Sequence, residues 1–254
     1  MCDSDWSSDV CSSDLEIEQA RALYEQVLEK NPGHAQALHM LGLTYYQGGD
    51  PESASDFLTK SLELEPEDIS ARGNLSGILA SMGRLEEAVE ILSRALEIAP
   101  EHAQTWRSLG DRLAQLDRLE ETVQAYEKAL QFWPEGVDKG PLPLNLAVSL
   151  ADLGRYKEAS NKLREIIDQE PGNIVAHCNL GYALRELGKL RQACASFRSA
   201  LELEPNMYEA HLGLARLHYQ WDDFAGAERH LDESRRMAAN FETIDGTVAC
   251  DVVR

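Results

Sequence analysis

Apolar residues recur along the chain in short runs with helical spacing, and polar turns separate the runs. Within residues 35–102, apolar positions three and four residues apart are interrupted by turns such as QGGD and SMGR. This spacing places the apolar side chains on one face of an α-helix, and a short turn containing glycine joins antiparallel neighbours. The pattern therefore predicts an all-α chain built from helix pairs, here called helix A and helix B.

The pattern has a period of about 34 residues. Six segments similar to LELEP carry prolines that are spaced 34, 34, 34, 37 and 34 residues apart: Pro32, Pro66, Pro100, Pro134, Pro171 and Pro205. Small residues recur in both helices, as at Gly42 and Ala54, and a large residue follows, as at Leu58. We expect the small residues to let the two helices approach closely while the large ones fill the interface. Proline then ends each helix B, because it cannot continue a helix.

These positions resemble the tetratricopeptide repeat family over residues 16 to about 240. The resemblance implies a right-handed α-solenoid of antiparallel helix pairs, with a concave groove that is lined by the A helices and binds extended peptides or partner helices. Six units are expected at residues 35–68, 69–102, 103–136, 140–173, 174–207 and 208–241. Residues 16–34 form a half repeat that holds helix B only, and residues 242–254 stay unassigned. A three-residue insertion within residues 132–143 is expected to shorten the next helix A.

Residues 1–15 break the pattern, because serines and Cys11 stand where helix A should offer an apolar stripe. The segment DWSSDVCSSDL resembles the translation of a common sequencing adapter. One hypothesis is that residues 1–15 are a library artefact and that the native chain continues upstream of Glu16. The alternative is an acidic, serine-rich disordered tail. Without a partner helix, the apolar stripe of residues 16–30 is expected to promote self-association.

Composition narrows the range of partners. The formal charge of −20 at pH 7 disfavours nucleic acid and anionic lipid, since both would be repelled. No apolar run is long enough to span a membrane, and the first residues do not resemble a signal peptide, so a cytoplasmic location is expected. The five cysteines show no metal-binding spacing and are expected to be free thiols: Cys2, Cys11, Cys178, Cys194 and Cys250. We expect no cofactor and no metal.

The sequence lacks the motifs of common enzyme classes. It contains no serine-nucleophile elbow, no P-loop, no HExxH motif and no dinucleotide fingerprint. The chain is therefore expected not to be an enzyme.

The A helices differ in charge from the rest of the chain. Across the six expected A helices, five cations and four anions give a net charge of +1, so the acidic residues belong to the B helices and turns. Asparagine recurs at one A-helix position, at Asn74, Asn145 and Asn179, which is similar to the asparagine ladder of O-linked N-acetylglucosamine transferases at three of six positions. A carboxamide row can pair with a peptide backbone. Family background explains the same residues equally well, and the lysine of a carboxylate clamp is missing beside them.

Further residues at groove-facing positions are predicted to hold peptide side chains: Tyr46, Arg107, Tyr182, Arg185 and Arg216. Packing against the next repeat is the alternative for the tyrosines. Trp106, His177 and His211 share one repeat position where Leu38 also falls, so we expect them to pack between repeats and not to bind a ligand.

Two functions remain open at this point. The first is an interaction scaffold that binds a protein or peptide in its groove. The second is the substrate-recognition arm of a larger enzyme of the glycosyltransferase or sulfotransferase type, whose catalytic domain lies outside this chain. The asparagine row slightly favours the second function.

Overall fold

The protein is described by a computed structural model that covers the backbone of residues 6–242 and the side chains of residues 17–236. These residues form thirteen α-helices, and the described backbone contains no β-strand. The contacts divide the chain into two compact units, residues 1–138 and 139–254, and the division falls in the segment that carries the insertion. Each unit is an all-α solenoid of helical repeats.

The first unit holds seven described helices: α1 (Trp6–Lys30), α2 (Ala35–Gln47), α3 (Pro51–Leu64), α4 (Ile69–Ser81), α5 (Leu85–Ile98), α6 (Ala103–Gln115) and α7 (Leu119–Phe132). Consecutive helices pack against each other, and α4 also contacts α2 and α6. The even-numbered helices are the A helices of the repeats. They therefore form a continuous layer in which each A helix lies beside the next.

The second unit holds six described helices: α8 (Leu142–Asp152), α9 (Tyr156–Gln169), α10 (Ile174–Glu186), α11 (Leu190–Leu203), α12 (Tyr208–Gln220) and α13 (Phe224–Glu242). Helix α10 contacts both α8 and α12, so the A helices form a layer here as well. Helix α8 has 11 residues, whereas the other A helices have 13. The expected shortening after the insertion is confirmed.

The turn from helix A to helix B has the same geometry in every repeat. One residue in each turn has a positive φ, at positions 34 or 37 residues apart: Gly49, Gly83, Asp117, Gly154, Gly188 and Asp222. The next residue donates its backbone N–H to a carbonyl five residues earlier, as Arg84 does to Leu79 at 2.9 Å. This is the Schellman arrangement, which satisfies carbonyl groups at a helix end. It explains why four of the six positions are glycine.

The core repeats the contact between a small and a large residue that the sequence predicts. Gly42 lies so close to the second helix that an added Cβ would meet Ala54 O at 3.0 Å and Leu58 Cδ1 at 2.7 Å. Tyr126 fills the same place against Gly110, and Phe197 fills it against Gly181. The alanines and large residues at these positions are fully buried. The predicted close approach of the helix pairs is therefore confirmed.

Helix α1 begins at Trp6, ten residues before the expected half repeat. It packs on α2, and its Leu23 and Val27 side chains stay exposed. The backbone of residues 6–15 is helical, so the alternative of a disordered tail does not hold for them, whereas the artefact hypothesis concerns the origin of the segment and stays a hypothesis. Cys2 and the Cys11 side chain lie outside the described residues. The tail from residue 243 onward, with Cys250, also lies outside them. Cys178 and Cys194 are buried free thiols.

Candidate functional site

The A helices of the first unit line a cavity of about 560 Å³ that is open to solvent. Its walls come from three successive A helices, with Leu43 and Tyr46 on α2, Gly73, Asn74, Gly77 and Ser81 on α4, and Arg112 and Gln115 on α6. Two predicted groove residues, Tyr46 and Asn74, therefore lie in the same cavity. Cavities of this size fall within the usual range for ligand sites.

A partly buried chain of polar contacts positions Asn74. Asp68 caps α4 by accepting from the Ala71 N–H at 3.0 Å, and its second oxygen lies 3.5 Å from His39 Nδ1. Asn74 Nδ2 is 2.8 Å from His39 Nε2. Because an amide nitrogen only donates, His39 Nε2 accepts and His39 Nδ1 carries the proton that faces Asp68. One Asn74 hydrogen is thus used within the chain, while its oxygen makes no hydrogen bond within the described residues.

The α4 wall of this cavity is bare helix backbone. A Cβ added at Gly73 or Gly77 would meet nothing within 4 Å, so no packing in the described residues requires glycine at either position. A glycine inside a helix costs about 1 kcal/mol relative to alanine. The two residues are one turn apart and leave the α4 backbone open to close approach. The sequence analysis missed them, although two glycines inside a predicted helix were a visible signal.

Arg112 is the only cation that lines this cavity within the described residues. Its Nη1 donates to Gln115 Oε1 at 3.3 Å, and its Nε is buried and makes no hydrogen bond within the described residues. The sequence analysis counted Arg112 among the A-helix cations but did not select it as a site residue.

A second open cavity, of about 430 Å³, lies in the second unit among α10, α12 and α13. It brings together two predicted residues, Arg185 and Arg216, beside Tyr219. Ala215, Ala227 and Leu231 supply an apolar floor. The cavity thus combines cationic groups at its rim with a surface that can hold an aliphatic side chain.

Tyr182 helps to position Arg185. The Arg185 guanidinium carbon lies 5.4 Å from the centroid of the Tyr182 ring, and Tyr182 Oη donates to the Glu209 carbonyl at 2.7 Å. Burial raises the pKa of Tyr182 to about 12, and a smaller opposing effect comes from Arg216 and Arg185. Tyr182 is therefore a neutral hydrogen-bond donor that is already used within the chain.

The other predicted site residues lie apart from the two cavities. Arg107 is placed over the Trp133 ring, with its guanidinium carbon 5.9 Å from the ring centroid. Asn145 on α8 and Asn179 on α10 are half-buried, and their side chains make no hydrogen bond within the described residues. The asparagine row is thus divided, with Asn74 in the first unit and the other two in the second.

Comparison with known families decides what kind of protein this is. Three tetratricopeptide repeat models match the chain, at residues 16–67, at residues 111–211, and at residues 49–112 and 184–243. Together they cover residues 16–243. The chain belongs to the tetratricopeptide repeat (TPR) family. No curated protein sequence matches it.

Solved TPR structures share the fold at low sequence identity. YrrB, described as a TPR protein with an unusual peptide-binding site, is 23% identical with a TM-score of 0.60, and the match covers 72% of this chain and 93% of YrrB. MamA from Desulfovibrio magneticus RS-1 is 20% identical with a TM-score of 0.62, covering 68% and 96%. A TPR protein from Parabacteroides merdae is 18% identical with a TM-score of 0.62, covering 94% and 93%. At these identities the similarity shows the fold alone.

A side-chain hydrogen bond spans the turn between successive TPR units. Four residues at one repeat position bond to the carbonyl of the proline six residues earlier: Arg72, Trp106, His177 and His211. Trp106 Nε1, for example, donates to Pro100 O at 2.7 Å. The sequence analysis expected only packing from the last three residues. Their common property is a side-chain N–H, which hydrophobic periodicity does not reveal.

The last TPR unit contains a histidine cluster that the sequence analysis did not find. His230 on α13 lies between His211 and His218 on α12, with ring centroids 5.3 and 5.4 Å away. His211 Nε2 donates to Pro205 O at 3.0 Å, so the His211 Nδ1, 3.0 Å from His230 Nδ1, acts as the acceptor. Burial, with the nearby histidines, lowers the pKa of His230 to about 4. No group of His, Cys, Asp and Glu among the described side chains is arranged to hold a metal ion.

Within the described residues, no helix of this TPR chain is long and apolar enough to cross a membrane.

Proposed function

We propose that this TPR chain is a non-enzymatic interaction scaffold that binds an extended peptide or a partner helix along its A helices. The observation that carries the proposal is the first cavity, which is formed by three successive A helices and contains Tyr46, Asn74 and the bare backbone at Gly73. An open aromatic ring, a free carboxamide oxygen and an accessible helix backbone suit a ligand that presents its own main chain.

Two further observations support a scaffold. The A helices carry a net charge of +1 in a chain of −20, so their face repels an acidic ligand less than the rest of the surface does. YrrB shares the fold and is described as having a peptide-binding site. By analogy, we expect a peptide to bind on the A-helix face of this chain.

The alternative is a recognition arm of a larger enzyme, and it rests on the asparagine row. Because Asn74 already gives one hydrogen to His39, that row offers fewer free groups than the sequence suggests. We therefore favour the scaffold. The cytoplasmic location and the exclusion of nucleic acid stay predictions.

Tyr46→Ala tests the scaffold proposal. Tyr46 is 41% exposed, so the substitution should leave the helical circular dichroism spectrum unchanged. We expect capture from a random peptide library to weaken about three- to tenfold, because aromatic anchors carry much of the energy of such contacts. Leu64→Ala is the control, since Leu64 is similarly exposed, at 47%, and lies on α3, outside the cavity. Equal capture by both variants would argue against a groove at Tyr46.

We also propose self-association through α1. Leu23 is 62% exposed and Val27 is 39% exposed on the same helix face, four residues apart. Exposed apolar faces of this kind favour association with a second copy. Sedimentation velocity should show dimers for the wild-type chain and monomers for the double substitution Leu23→Ser and Val27→Ser. A wild-type monomer at micromolar concentration would refute this proposal.

A further inference from the structure

The second cavity has an unusual charge for this chain. Arg185 and Arg216 line it against a single acid, Glu186, although acidic residues outnumber basic residues 44 to 24 in the whole sequence. Arg185 Nε donates to Glu186 at 3.0 Å, and the Glu186 charge is compensated by this contact. Arg216 is exposed and makes no hydrogen bond or ion pair within the described residues. One positive charge is thus left over at the cavity.

Arg185 is held in place at the rim of this cavity. Its side chain is only 17% exposed, because it lies against the Tyr182 ring and Glu186. Its Nη1 is buried and has no hydrogen-bond partner within the described residues. A buried N–H of a charged group that has no hydrogen-bond partner reduces the stability of the folded protein. Because Glu186 already compensates the charge of Arg185, a ligand carboxylate at this cavity would pair with Arg216 by direct contact.

The floor of the cavity is apolar. Ala215 is 2% exposed and Ala227 is 5% exposed, and their small side chains leave room beside Leu231 on α13. The Tyr219 ring, which packs edge-on against Phe224, is exposed at the rim. Because Ala215 and Ala227 are already almost fully buried, a large aliphatic side chain placed in this cavity would bury apolar area mainly against Leu231 and the exposed Tyr219 ring.

We infer that this cavity recognises an acidic–aliphatic pair in a partner peptide: an Asp or Glu carboxylate at Arg216, with a neighbouring Leu, Ile or Val side chain on the floor formed by Ala215, Ala227 and Leu231. This inference deepens the proposed function, and it depends on that function because it assumes that the ligand is a peptide. It assigns a ligand chemistry to the second unit, whereas the scaffold proposal rests on the first unit.

Fluorescein-labelled decapeptides in a Gly/Ser background test the inference by anisotropy with the full chain. The central pair is Leu–Glu, Leu–Gln or Ser–Glu. At low salt we expect the Leu–Glu peptide to bind about tenfold more tightly than the Leu–Gln or the Ser–Glu peptide. A tenfold difference in Kd corresponds to about 1.4 kcal/mol of binding free energy. The advantage over Leu–Gln should shrink at 0.5 M salt, because screening weakens an exposed ion pair.

Substitutions at Arg216 locate the effect. Arg216→Gln should remove the preference for Leu–Glu over Leu–Gln, and Arg216→Lys should keep most of it. Arg235→Gln is the matched control, because Arg235 is an exposed arginine on α13 that does not line the cavity. All variants should keep the wild-type helical spectrum, since both arginines are exposed.

The outcomes separate the two proposals. Equal affinity for Leu–Glu and Leu–Gln, or a preference that persists in Arg216→Gln, would overturn this inference and leave the scaffold proposal intact. If neither these peptides nor the random library binds, the scaffold proposal fails and this inference fails with it.

Discussion

Gly213→Ala should destabilise the second unit, although alanine is the better helix former. Gly213 lies inside α12 and faces the ring of Phe197 on α11. An added Cβ would lie 2.4, 2.5 and 2.8 Å from Cζ, Cε1 and Cε2 of that ring. Carbon atoms in contact are normally about 3.5–4.0 Å apart. The ring would therefore have to move by about 1 Å.

The ring has no room to move. Phe197 is fully buried, and Gly181 on α10 also lies so close that a Cβ there would meet the same ring at 2.6–2.8 Å. Overpacking of this kind costs about 1–3 kcal/mol. The higher helix propensity of alanine relative to glycine offsets about 1 kcal/mol of this cost. The two effects give a net loss of about 1 kcal/mol in the free energy of unfolding.

Gly73→Ala is the matched control, because the chemical change is the same but no atom lies within 4 Å of the new Cβ. It should stabilise the protein by about 1 kcal/mol. Urea unfolding followed by circular dichroism measures both variants. Phe197→Leu, which introduces the residue found at the same position in other repeats, should cost less in the Gly213→Ala background than alone. Stabilisation by Gly213→Ala comparable to that of Gly73→Ala would refute the reasoning.

Three smaller predictions follow from the same contacts. Asp117→Gly should stabilise the first unit by about 0.5–1 kcal/mol in urea unfolding, because Asp117 has a φ of 57°, whereas Gly83→Ala at the equivalent turn should destabilise it. Trp106→Phe should cost about 0.5–1 kcal/mol by removing the hydrogen bond to Pro100, and Trp221→Phe, whose indole N–H makes no hydrogen bond within the described residues, should cost less. The third prediction concerns pH. The folded pKa of His230 lies below the ordinary 6.5, at about 4, because of burial and the positive fields of His211, His218, Arg229 and Arg198. The unfolded chain then binds more protons between these values, so stability should fall as the pH falls from about 6.5 to about 4. Solvent screening reduces the full effect of about 3 kcal/mol to about 1 kcal/mol. A His230→Gln variant with an unchanged stability profile over this range would contradict that assignment.

The repeat and its helix pairs could be predicted from the sequence because their signals are local. Prolines at a fixed period, glycine-containing turns and a small residue at Gly42 or Gly181 each act on the chain beside them or on the next helix. The candidate site was predicted less completely. Tyr46, Asn74, Arg185 and Arg216 were assigned to a groove and do line cavities, but Arg107 lies over Trp133.

The missed residues share a physical reason. His39 and His230 gain their roles from groups on other helices, and Arg112 lines a cavity that α2 and α4 complete. None of the three residue types recurs at its repeat position. The four side chains that bond to proline carbonyls do share a position, but they differ in size and hydrophobicity. A search for apolar periodicity therefore groups them with Leu38 and overlooks the hydrogen bond that they have in common.

The sequence by itself determined that this protein is a TPR chain of antiparallel helix pairs, since helix spacing, turns and prolines specify the backbone within each repeat. Only the tertiary structure decided which side chains meet across repeats. Those contacts depend on how one helix pair is rotated against the next and on the rotamer of each long side chain. The residue spacing along the chain specifies neither, and so the free carboxamide oxygen of Asn74 and the unpaired charge at Arg216 became visible only in the folded protein.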